Sequence, residues 1–95
     1  LLNGKTSRDL LRVIDGVGAG YAESTDQELL DIYQLSKYSG VVLDPVYSGK
    51  AALTMLKDLK NVKKPQNVLF IHTGGLLGFY SKMNQLNKVV ERGKK

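Results

Sequence analysis

Hydrophobic and polar positions follow two different rhythms along the chain. After Thr25, the apolar residues Leu29, Ile32 and Tyr33 recur at helical spacing. Thr25 and Glu28 form a capping box, Asp26 and Glu28 suit a helix N-terminus, and Gly40 supplies a left-handed stop. These signals predict a helix over about residues 26–38. Val41, Val42 and Leu43 are too few for a helix and too apolar for an exposed loop, so they predict a buried strand that ends at Asp44-Pro45. Ser48-Gly49-Lys50 opens a second helix, with Ala52, Met55, Leu56 and Leu59 on one face and an end among Asn61 and the lysines. Pro65 and Gln66 mark a loop, and Asn67 to His72 is a continuous apolar run of the kind found in parallel strands covered on both faces. A short helix from Leu76 to about Leu86 follows Thr73-Gly74-Gly75. The predicted order is helix, strand, helix, strand, helix, an α/β fold of parallel strands with crossover helices.

The first twenty residues carry weaker signals. Leu10, Leu11, Val13 and Ile14 read as a short strand or helical turn, and Gly16, Gly18 and Gly20 as a flexible connector. Their G-x-G-x-G spacing lacks the third interval of a dinucleotide fingerprint, and no acidic residue stands at the required distance on a second strand. Leu1-Leu2-Asn3 has neither an initiator Met nor a basic-then-apolar leader, so the start reads as a cut within a longer chain.

Composition narrows the function classes. The chain has 95 residues, 42% hydrophobic and 24% charged, without cysteine, which excludes a disulfide scaffold and a Cys-ligated zinc site. Disorder is disfavoured by the aliphatic content, and no apolar run approaches the ~20 residues that span a bilayer. The net charge of +5 invites a nucleic-acid reading. Its location argues against one: Lys82, Lys88, Arg92, Lys94 and Lys95, opposed only by Glu91, concentrate the excess in a C-terminal tail. Lys57, Lys60, Lys63 and Lys64 are most simply the solvated face and end of a helix. Aromatic and basic residues are not interleaved as a single-strand binding surface requires.

Candidate chemistry sits at the two strand-to-helix turns, because ligands in open α/β sheets bind beyond the carboxyl ends of strands. The turns are Asp44 to Gly49 and His72 to Gly75, where small residues let backbone N–H groups approach an anion or a ring. His72, the single histidine, has no nucleophile or acid at motif spacing and reads as structural. Lys50 reads as a solvated lysine at a helix start. No carboxylate pair and no His/Asp/Glu set has catalytic or metal-ligand spacing, so no metal site is expected.

Three stretches carry a resemblance: Gly20-Tyr21-Ala22 with Ser24-Thr25, the run from Gly40 through Asp44-Pro45-Val46-Tyr47-Ser48-Gly49-Lys50 to Ala52, and Val68 to Gly78. They resemble the C-terminal part of the pyridoxal-phosphate family that holds D-cysteine desulfhydrase and 1-aminocyclopropane-1-carboxylate deaminase. The resemblance runs from about Ser7 to Leu86. It implies a fold-type-II architecture like the tryptophan synthase β-subunit, with residues 1–86 as the C-terminal portion of the cofactor-binding domain and 87–95 as a basic tail. It also implies pyridoxal 5'-phosphate as cofactor, a small amino-acid substrate, a homodimeric intact enzyme, and neither nucleic acid nor membrane as partner.

Residue by residue, the resemblance makes Tyr47 a catalytic residue lying against the cofactor ring, and Tyr21 a second active-site tyrosine that meets substrate. Thr73 and Gly74 fall on the cofactor side, Thr73 beside the pyridine nitrogen, and Ser48 on the substrate side. A threonine hydroxyl does not hold that nitrogen protonated, which suits β-elimination better than long-lived carbanion chemistry. Deaminases of the family have glutamate and leucine where this chain has Ser48 and Thr73, so both positions point to the desulfhydrase branch. The implied reaction is α,β-elimination of D-cysteine to pyruvate, ammonia and hydrogen sulfide. No motif here matches the family's imine-forming lysine or phosphate loop, and Lys50 does not have that lysine's context; the segment alone is expected to be inactive. The alternatives are a 1-aminocyclopropane-1-carboxylate deaminase, or a non-catalytic α/β module that binds an anion at Thr73-Gly74-Gly75. Cytoplasm and mitochondrion are both compatible with the cysteine-free composition.

Overall fold

A computed structural model describes residues 3–93. Among the described residues there are four α-helices and one 3₁₀ segment: α1 (Ser7–Leu10), α2 (Asp26–Ser39), α3 (Ser48–Leu59), the 3₁₀ segment (Leu76–Lys82) and α4 (Met83–Gly93). The radius of gyration is 15.6 Å, against ~13 Å for a compact domain of this length. The core is accordingly small and the outline elongated.

Helix α2 forms where the capping signals place it. The Thr25 hydroxyl accepts from the Glu28 N–H at 3.0 Å, and Gly40, at φ 77°, donates its N–H to the Ser36 carbonyl at 2.9 Å. This helix is the hub, packing against both α3 and α4. Its Ile32 joins Leu43 and Ala52 in a core flanked by Leu35, Leu53, Phe70 and Phe79. From α4, Leu86 and Val89 are buried. Gln85 of α4 donates to the Ser24 carbonyl at 3.0 Å and to Asp26 at 2.9 Å, tying α4 to the start of α2.

The α/β expectation, and with it the parallel strands and crossover helices of a fold-type-II enzyme, is corrected. Among the described residues there is no β-strand. Residues 41–43 and 67–72 approach each other, and the His72 Nε2 lies 2.8 Å from the Val42 carbonyl oxygen. No backbone-to-backbone hydrogen bond joins them, however. A strand exists only through the N–H and C=O groups of a neighbour, and an apolar run reads the same whether or not that neighbour is supplied. Leu43 is buried, whereas Leu69 and Ile71 are 85% and 73% exposed. The helix expected over 76–86 is also two elements. Gly74 and Gly75, at φ 96° and 90°, lead into the 3₁₀ segment, and α4 then runs from Met83 through Leu86 to Gly93. Lys94 and Lys95 lie outside the described residues.

Asp44 organises the connection between α2 and α3. Its side chain is fully buried and accepts from the backbone N–H groups of Val46, Tyr47 and Ser48 at 2.9, 2.7 and 2.9 Å. The Ser48 hydroxyl donates to the same carboxylate and accepts from the Asp44 N–H at 2.9 Å. Asp44 thus satisfies, from outside the helix, the first N–H groups of α3, Ser48 through its carboxylate and Gly49 through its carbonyl oxygen at 2.7 Å. Burial pushes its carboxyl up, but the hydrogen bonds from the Ser48 hydroxyl and from the N–H groups of Tyr47, Ser48 and Val46 outweigh burial and hold it below the ordinary carboxylate value. Gly75 seats the 3₁₀ turn on the same group, since a Cβ there would stand 2.9 Å from Asp44 Oδ1.

Gly49 sets the approach of α3 to α2. A Cβ at this position would lie 2.5 Å from the Asp44 carbonyl oxygen and 2.6 Å from Ile32 Cδ1. Gly49→Ala is expected to destabilise the fold by about 2 kcal/mol, because overpacking against backbone outweighs the gain in helix propensity. An unchanged denaturation midpoint would contradict this. Asp44→Asn leaves the hydrogen-bonding N–H groups without their anion and should cost about 2–3 kcal/mol near neutral pH. The folded carboxyl titrates below the unfolded one, so the wild-type advantage is complete above about pH 4 and fades as pH falls through the folded value. Denaturant unfolding of both proteins across that range tests the sign: a gap independent of pH refutes it.

Candidate active site

An open cleft of about 660 Å³ runs between the irregular loop after α1, one side of α3 from Ser48 to Asp58 and the segment that ends at Thr73. Tyr21, Tyr47, Ser48 and Thr73 all line it, so four of the five site positions expected from the sequence converge on one surface. Gly74 is not part of the lining. Its N–H instead donates to His72 Nδ1 at 3.0 Å, which leaves Nε2 as the donor to Val42 and makes His72 a structural clip.

The two tyrosines arrive by different routes. Tyr47 stands immediately before α3, held by its own N–H on Asp44. Tyr21 lies 26 positions earlier, on a loop without regular secondary structure. Their hydroxyl oxygens are 2.9 Å apart, and their rings meet edge to face with centroids 6.2 Å apart. Hydrogen bonding to the Tyr21 hydroxyl pushes the Tyr47 phenol above its ordinary value; the charge on Asp44 adds to this. The pair holds two hydroxyl protons. One is engaged between the oxygens and the other is available to a ligand in the cleft.

Ser48 reaches the wall of the cleft, but its hydroxyl is engaged with Asp44 in both directions. Thr73 is exposed at the rim, beside Phe70 and Ile71. Arg12 and Asp58 form an ion pair that joins the loop to the far end of α3. These residues fit one side of an aromatic cofactor, with an accessible tyrosine face, paired phenol hydroxyls and a rim hydroxyl. The single lysine in the lining is Lys50, and it is not a free amine.

Two residues to which the sequence reading gave no structural role matter most here. Lys50 is buried rather than solvated, and its Nζ donates to the carbonyls of Val17, Gly20 and Glu23 at 2.7, 2.6 and 2.6 Å. A partly apolar first turn after glycine gives no sign of carbonyls that arrive from some thirty positions upstream. Asp44 was legible only as a turn residue. The signal for more was local: an aspartate followed by proline, with serine four positions on, is an arrangement in which the carboxylate can fold back over successive N–H groups.

No helix among the described residues is long and apolar enough to cross a membrane. No known family profile and no solved structure matches the chain. Curated proteins do, two of them as follows. The chain is 43% identical over 86 residues to the mitochondrial bifunctional D-cysteine desulfhydrase/1-aminocyclopropane-1-carboxylate deaminase of Arabidopsis thaliana, a match covering 87% of this chain and 21% of that protein. It is 34% identical over 83 residues to a Thermotoga maritima protein assigned to 1-aminocyclopropane-1-carboxylate deaminase, covering 86% of this chain and 26% of that one. The chain therefore spans about a fifth to a quarter of the length of these relatives. Over most of its length the chain is thus similar to one segment of D-cysteine desulfhydrase/1-aminocyclopropane-1-carboxylate deaminase proteins.

Proposed function

We propose that this segment is one wall of the active site of a pyridoxal-phosphate-dependent lyase that eliminates hydrogen sulfide from D-cysteine. The observation that carries the reading is the Tyr21–Tyr47 hydroxyl pair in a cleft rimmed by Thr73. Its context is a chain 43% identical to a protein named for that activity. When bound, pyridoxal phosphate supplies the electron sink that makes an amino-acid α-proton removable. The chain's own residues do the rest of the work on this side. Tyr47 would lie against the ring and Thr73 would offer its edge a neutral hydroxyl, while Gly74, outside the cleft lining, would act on the cofactor side only through the turn that it makes at φ 96°. Tyr21 faces the substrate. Ser48, its hydroxyl tied to Asp44, shapes the wall that the substrate side chain meets.

Proton handling follows from the phenol pair. The Tyr47 phenol titrates above its ordinary value and so carries its proton at neutral pH; with Tyr21 as the donor between the two oxygens, the Tyr47 Oη–H is free to be given to the departing thiolate sulfur. Tyr21 holds that hydroxyl in place. Because the Lys50 ammonium is engaged with three carbonyls, the imine-forming lysine and the phosphate contacts belong, in this reading, to parts of the enzyme outside these 95 residues. The segment by itself is then inactive. A second reading, ring-opening deamination of 1-aminocyclopropane-1-carboxylate, is favoured by the names of both relatives. Ser48 and Thr73 favour the desulfhydrase.

The test uses the longer protein that carries this segment, loaded with pyridoxal phosphate and offered D-cysteine or 1-aminocyclopropane-1-carboxylate. Cofactor absorbance with sulfide release from D-cysteine is expected, and Tyr47→Phe should lower kcat about a hundredfold, the scale of a lost proton donor. Turnover of the cyclopropane compound alone would replace the first reading by the second. A protein that binds no cofactor and turns over neither compound would overturn both.

A further inference from the structure

We propose that Lys50 is a positioning residue: its ammonium pins the loop that carries Tyr21 and so sets the Tyr21–Tyr47 pair. Three observations lead to this assignment. Lys50 is 7% exposed, in the first turn of α3, and its Nζ meets three carbonyl oxygens at 2.6–2.7 Å. An ammonium has three N–H donors and no acceptor, so every donor is matched. All three acceptors belong to one stretch of loop, and Tyr21 lies between the second and third of them.

The loop has little else to hold it. Val17 and Tyr21 are exposed, so apolar burial does not fix their positions. Its internal structure is two consecutive turns, Gly20 N–H to the Val17 carbonyl at 3.4 Å and Glu23 N–H to the Gly20 carbonyl at 3.2 Å. Both turn carbonyls are also Lys50 acceptors. The backbone bends through left-handed geometry at Gly18, Gly20 and Ala22, with φ 66°, 144° and 56°. For Ala22 this conformation is strained and persists only where surrounding contacts over-determine it. The ammonium, together with the Tyr21–Tyr47 contact, is the long-range hold that does so. Upstream, Gly16 packs so closely on Thr54 that a Cβ would stand 2.5 Å from Oγ1, and Thr54 Oγ1 donates to the Lys50 carbonyl at 2.9 Å. Helix α3 therefore grips the loop at two successive turns, through Lys50 and Thr54.

Lysine suits this task because a compact ammonium can take three convergent carbonyls, whereas the planar fork of arginine cannot. The same geometry removes Lys50 from chemistry on a ligand. Its consequence for catalysis rests on the function proposed above; its consequence for the loop does not.

The experiment therefore reads both, on the full-length protein. Amide hydrogen exchange is followed in wild type, Lys50→Met, Tyr21→Phe and the double variant. Lys50→Met should accelerate exchange of residues 17–24 by about tenfold or more while the later turns of α3 stay protected. With D-cysteine, Lys50→Met should lower kcat in the Tyr21 background and change it less than about twofold in the Tyr21→Phe background, the non-additivity of residues acting as a unit. Unchanged loop exchange, or multiplicative loss in the double variant, overturns the assignment. Lysine acetylation of the wild type, followed by peptide mass spectrometry, decides the case if Lys50→Met does not fold. Modification of Lys50 about tenfold slower than that of the exposed Lys57 and Lys60 supports it, and equal rates overturn it. If D-cysteine is not turned over, the lyase reading fails, and loop exchange and acetylation still judge Lys50.

Discussion

A carboxylate with no solvent contact governs this structure. Asp44 is held as an anion away from water because it gathers donors from three successive backbone amides and a serine hydroxyl. An isolated charge in that position would unfold its surroundings, whereas a fully bonded one converts a flexible connection into a fixed corner. Three things follow from the corner. Helix α3 starts at a defined residue, Ile32 and Gly49 meet with no room between the helices, and Tyr47 projects from a backbone whose own N–H is anchored. The turn around Gly75 closes over the same carboxylate.

The cleft joins a locally determined half to a half assembled at long range. Tyr47 and Ser48 are placed by bonds that reach no further than four residues. Tyr21 is placed by Lys50, across about thirty positions of chain, and by Tyr47 itself. Formation of the second half requires the first, because Lys50 lies one turn beyond the Asp44 corner. A buried anion and a buried cation thus serve the same cleft without touching each other, each neutralised by backbone dipoles instead of by an opposite charge. Each charge bears its own desolvation, offset by the backbone groups that converge on it, and this makes the backbone conformation at each end specific.

The sequence was most readable where the deciding interactions are local. Thr25, Glu28 and Gly40 announce both ends of α2, and the observed helix matches the expected one within a residue at its C-terminus. The start of α3 at Ser48 was also plain. Val41–Leu43 and Asn67–His72 misled because strand formation depends on a neighbour that periodicity does not report, and Leu69 and Ile71 remain open to solvent. The convergence of Tyr21, Tyr47, Ser48 and Thr73 followed from resemblance, not from spacing. Lys50 was illegible for the opposite reason to the strands: its partners are main-chain carbonyls, which every residue type possesses and no sequence pattern marks.

The closeness at Gly49 bears on how this segment can vary through its gene. Every single-nucleotide change in a glycine codon that alters the amino acid adds at least one carbon, and position 49 has none to spare, with backbone on one side and Ile32 on the other. Nor does a shorter residue at 32 free the site, because the Asp44 carbonyl is part of every backbone. Sequence drift in this part of the molecule is therefore channelled to exposed positions such as Tyr38 and Leu69, while residue 49 stays fixed by the genetic code as much as by the fold.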